Sequence, residues 1–130
     1  MSRAITPDGW PRAKGYSHGM AAGGEVLAIA GQIGWDESET MVSDDFAEQA
    51  TQALRNVMTV LDAAGGKAED LIRMTWYVTD KREYLDNAQV VGRAYREIFG
   101  KHYPAMTLVQ VAALLEDGAK VEVEATAVIP

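Results

Sequence analysis

Two glutamates stand at alternate positions in the run Val121-Glu122-Val123-Glu124-Ala125. A β-strand sends successive side chains to opposite faces, so this spacing sets Val121, Val123, Ala125 and Ala127 on one face and Glu122, Glu124 and Thr126 on the other. Carboxylates in line on one side of a strand suit proton transfer. Held in a cleft, such a group has its pKa raised toward neutrality and can take a proton from water or hand one to a leaving group. The same alternation also describes an ordinary solvated strand face. The remaining reactive side chains are few. His18 and His102 are the only histidines and lie far apart, and the chain has no cysteine. There is therefore no thiol nucleophile, disulfide or Cys-based metal site, and no spacing joins the histidines to carboxylates as metal ligands. Gly23-Gly24 and Gly65-Gly66 lack the flanking pattern of a phosphate-cradling loop. Neither a metal nor a cofactor is expected.

The elements that must hold these glutamates follow from period and punctuation. Residues 107–114 and 120–129 are apolar, β-rich runs on either side of Glu116-Asp117-Gly118, and they read as an antiparallel hairpin. Residues 1–15 carry Pro7, Gly9, Pro11 and Gly15, which predicts an extended or looped segment. Residues 16–22 and 25–32 read as a second hairpin turned at Gly23-Gly24, its second arm apolar enough to be buried on both faces. Residues 34–43 form a polar loop containing Trp35, a large apolar side chain that needs a wall.

From Asp45 to Ala64 the period becomes helical, with Phe46, Ala50, Ala53, Val57 and Leu61 on one stripe. Asp45 and Glu48 resemble a capping box, and Gly65-Gly66 a stop. Residues 71–79 return to the strand period, with Ile72, Met74, Trp76 and Val78 opposite Arg73, Thr75, Tyr77 and Thr79. Asp80 and Glu83 open a second helix, which carries Tyr84, Ala88, Val91, Tyr95 and Ile98 on one side and ends at Gly100. The order is β-β-α-β-α-β-β, an α+β fold in which two helices cover one face of a mixed sheet. The other face, rich in Val, Ile, Ala and Leu, predicts self-association.

At 130 residues the chain is read as one domain, 1–130. Twelve basic against nineteen acidic residues give a net charge of −7, with no cluster of Lys and Arg, so neither nucleic acid nor ribonuclease chemistry is expected. The N-terminal residues lack the apolar run of a leader, and no stretch approaches a membrane span. The expected location is the cytoplasm.

Several segments together resemble the Rid family, also called YjgF/YER057c/UK114, of small imine and enamine deaminases. They are Tyr16-Ser17-His18, Gly31-Gln32, Pro104-Ala105-Met106-Thr107 and the Val121–Ala125 run, in order and spacing over almost the whole chain. The resemblance implies a chorismate-mutase-like homotrimer that takes a small metabolite in clefts between subunits. It implies Glu122 as the residue that handles the attacking water, in a cleft whose substrate end holds Met106. Tyr16, His18, Gly31, Gln32 and Thr107 join the candidate binding set.

The chain also departs from the family. Met106 stands where the deaminases have an arginine that grips a substrate carboxylate, and a thioether offers polarizable bulk but no donor. Ala30 replaces a common Ser, Gly92 a common Asn and His18 a common Gln. Two functions remain open: hydrolytic deamination with altered specificity, or a binding or regulatory trimer without chemistry.

Overall fold

In a computed structural model of the protein, which describes residues 2–130, four strands form the central sheet. They are β3 (Glu25–Ile33), β4 (Leu71–Val78), β5 (Ala105–Gln110) and β6 (Val121–Ile129), in the order β3-β6-β4-β5. β6 runs antiparallel to both neighbours, while β4 and β5 are parallel. Strands β1 (Ser2–Ile5) and β2 (Gly19–Ala22) pair as a separate antiparallel ribbon. Helices α1 (Phe46–Ala63), α2 (Lys81–Asp86) and α3 (Ala88–Phe99) complete the α+β fold.

Both expected hairpins are absent. β5 ends at Gln110, and the intervening loop is too long for a tight turn. The chain enters β5 by the α2–α3 crossover, as a parallel neighbour of β4 requires, then returns as β6 on the far side of β4. Residues on either side of Gly23-Gly24 likewise do not pair with each other, because β2 takes β1 and β3 takes β6. β3 is thus an edge strand buried on one side only, with Val26 67% exposed.

Local signals hold better. The α1 stripe is fully buried, joined by Leu54, and Asp45 caps the helix by accepting the Glu48 amide at 3.0 Å. The predicted second helix is divided at Asn87, whose side-chain amide donates to the Glu83 carbonyl at 2.8 Å and whose ψ of 9° leaves the helical range. Asp80 caps α2 through Arg82, while Glu83 reaches Lys120 at 3.4 Å instead of closing a box.

The core lies between the sheet and the helices, where Met74, Trp76 and Val78 meet Val121, Val123, Ala125 and Ala127. Gln49, completely buried on α1, donates to the Ser43 and Gly118 carbonyls and accepts the Lys120 amide, so one satisfied side chain ties two loops to the helix. The opposite face is less apolar than expected. Val26 and Val109 are exposed at its margins, but Arg73, Thr75, Tyr77, Glu122, Glu124 and Thr126 form its centre.

Candidate functional site

The register of β6 builds the carboxylate face. Glu122 lies opposite Tyr77 on β4, and Glu124 opposite Thr75. The Tyr77 hydroxyl reaches diagonally to donate to Glu124 Oε1 at 2.7 Å, and that bond is the main reason the phenol's pKa lies above its usual 10. Glu124 is therefore engaged, whereas among the described residues Glu122 makes no side-chain hydrogen bond. On the other side of β6 the ladder to β3 slips between Ile29 and Gln32, leaving Ala30 and Gly31 as a bulge. The Glu122 carboxylate folds over this bulge. A Cβ on Gly31 would collide with Glu122 Oε2, so only glycine lets the carboxylate lie against the backbone there. Gly31 is exposed, and Gln32 bends back to donate from its side-chain amide to the Ala30 carbonyl at 3.0 Å.

Met106 belongs to the other face. It is the partner of Met74 in the parallel ladder and points with it toward the helices, whereas Thr107 pairs with Thr75 on the carboxylate side. Within one chain, then, Met106 and Glu122 do not share a cleft: the sheet stands between them, Met106 on the side of Met74 and Glu122 on the side of Tyr77. Met106 instead lines a cavity of about 210 Å³ with Trp76, Tyr84, Tyr95 and Tyr103, bordered by Gly15, Gly92 and Arg96.

Tyr16 and His18 are brought near this second region by Ser17. The Ser17 amide donates to the Pro104 carbonyl at 3.0 Å and its hydroxyl to the Tyr103 carbonyl at 2.6 Å, pinning the N-terminal segment to the start of β5. Tyr16 is exposed and packs edge-on against His18 at 5.3 Å. The imidazole Nε2 donates to the Pro11 carbonyl at 3.0 Å, which engages one of its two ring nitrogens. His102 is similarly taken by the Leu71 carbonyl at 2.7 Å. Among the described residues no group of His, Asp and Glu is arranged to hold a metal, and no helix is long and apolar enough to cross a membrane.

Two features escaped the reading from sequence. The Tyr77–Glu124 pair needs the β4–β6 register, which nothing local encodes. Arg96 stands one helical turn beyond Gly92, and that i, i+4 spacing was the available signal.

The family model described as endoribonuclease L-PSP matches residues 9–129. The 2-iminobutanoate/2-iminopropanoate deaminase of Salmonella typhimurium is 36% identical over 132 residues, which covers 98% of either chain. The human deaminase of the same name is 37% identical over 104 residues, 79% of this chain and 72% of its own. Among solved structures, a Rid-family protein from Yersinia pestis matches with a TM-score of 0.86 at 29% identity, covering 98% of each chain. RidA from an Antarctic Psychrobacter matches at 0.69 and 32%, covering 98% of this chain and 99% of its own.

Proposed function

The chain belongs to the Rid, or endoribonuclease L-PSP, family, and from that premise we propose that it is a cytoplasmic homotrimer that hydrolyses a small imine or enamine metabolite. The observation that carries this reading is the Glu122 carboxylate lying over the Gly31 bulge on the sheet face that no helix covers. Water adds to the C=N carbon as Glu122 takes its proton. That proton passes to the imine nitrogen to complete a carbinolamine; its hydroxyl proton then moves through Glu122 to the amine, and the C–N bond breaks as the carbonyl forms, releasing ammonia. Exposed Gly31 lies beside the carboxylate, where a backbone amide can hold a substrate oxygen.

Separation of the two regions by the sheet supports a cleft between subunits. Glu122 and Gly31 from one copy can meet Tyr16 and Met106 only if a second copy sets its carboxylate face near the β5 edge of the first. Exposed Val26 and Val109, flanking the polar centre, offer apolar margins for such a contact.

The test is the decay of 2-iminobutanoate or 2-iminopropanoate, generated in situ by an amino acid oxidase and trapped with semicarbazide. Wild type should shorten the imine lifetime, and Glu122→Gln should lower the rate about a hundredfold or more. A second reading, a binding or regulatory trimer without chemistry, is favoured by Met106 and Ala30, which remove a cation and a hydroxyl from the family pattern. No acceleration at high protein concentration would select it.

A further inference from the structure

The cavity beside Met106 is chemically one-sided. Trp76 and Tyr84 meet edge to face at 6.0 Å, Tyr95 and Tyr103 stack at 5.3 Å, and among the described residues no carboxylate lines the space. Among the described residues, Arg96 is its only charged lining residue. A Cβ built on Gly92 would stand 3.5 Å from Arg96 Nη1, so the guanidinium lies across the glycine at the cavity border. Arg96 is exposed, and among the described residues it makes neither an ion pair nor a side-chain hydrogen bond.

Two further observations point the same way. Trp76, only 4% exposed, carries the one buried side-chain nitrogen or oxygen among the described residues that has no hydrogen-bond partner, its indole Nε1. An adjoining groove, which shares Gly15 and Tyr103 with the cavity, adds Arg12, Lys14 and Lys101. In a chain of net charge −7 this concentrates positive potential around one aromatic hollow.

We propose that Arg96, laid over Gly92, is the anion-binding residue of this cavity, and that the ligand is a 2-imino acid with a large apolar or aromatic side chain. Its carboxylate pairs with the guanidinium at the rim, and its side chain packs against Met106 and the aromatic walls. Met106 makes the interior apolar where a cation would otherwise sit, so the charged end of the ligand must turn outward. The assignment rests on the imine-hydrolysis reading for its substrate class, but not for its geometry.

Binding, not turnover, tests it. Calorimetric titration with phenylpyruvate, the stable oxygen analogue of an aromatic imino acid, should give at least about tenfold tighter binding than pyruvate or the uncharged phenylacetone. Arg96→Ala should weaken phenylpyruvate roughly tenfold to a hundredfold and leave phenylacetone unchanged, and Arg96→Lys should recover part of the loss. Gly92→Asn, which fills the space beneath the guanidinium, should also weaken phenylpyruvate. Equal binding of pyruvate and phenylpyruvate, or indifference to Arg96→Ala, would overturn the proposal. Arg96-dependent binding without imine turnover would sink the hydrolysis reading and leave this site standing; turnover with Arg96-independent binding would do the reverse.

Discussion

The two faces of the central sheet are made by the same strands and differ in what they bury. Toward the helices, Val121, Val123, Ala125 and Ala127 of β6 pack with Met74, Trp76 and Val78 of β4 against Leu54, Val57 and Leu61 of α1, all nearly inaccessible to solvent. On the open side, Glu122, Glu124, Thr126 and Tyr77 are half-buried, and a single hydrogen bond joins two of them. Strand alternation thus lets consecutive residues serve different ends, one set holding the fold while the other is free for chemistry. Stability and activity should therefore separate by face.

The largest expected effect is on the helix side. Leu54→Ala opens a cavity at a fully buried position and should cost about 2–5 kcal/mol in denaturant unfolding. Glu122→Gln should change the same measurement by less than about 0.5 kcal/mol. Comparable losses from the two variants would break the comparison, since Glu122 would then be part of what holds the sheet.

A subtler variant sharpens the contrast. Gly31→Ala places a methyl where the Glu122 carboxylate now lies, and the flexible end of the glutamate must give way. Misplacing a reacting group by an ångström lowers rates on the order of a hundredfold, so imine hydrolysis should fall steeply while the unfolding midpoint hardly moves. Unchanged turnover would mean that the carboxylate need not rest on the bulge.

The smallest effect is pH-dependent. Tyr77 donates to Glu124, which raises its folded-state pKa above the value of 10.0 expected of the free phenol. That contribution is fully present below pH 10 and is lost as pH rises through the folded value. Tyr77→Phe should lower the melting temperature slightly at neutral pH, and its gap from wild type should close in alkali. A gap that stays constant across that range would show that the hydrogen bond does not stabilise the fold.

How much of this was legible beforehand depends on the range of the interaction. The β6 alternation, the α1 stripe and the Asp45 cap are written within a few residues, and each was readable because a strand or helix imposes its period on neighbours in sequence. The cation at the cavity border was not: Arg96 reads as one more exposed helix residue until Gly92 beneath it and the aromatic walls beside it are placed in space.

By itself the sequence determined an α+β chain, two carboxylates on one strand face, and the replacement of the family arginine by Met106. Tertiary structure decided which strands pair. It set β6 between β3 and β4, made β5 parallel to β4, and moved β2 away from β3. Strand partners are chosen by hydrogen bonds and packing between distant segments, which local pattern does not encode. For the same reason only the assembled sheet could show that Met106 and Glu122 stand on opposite sides of it.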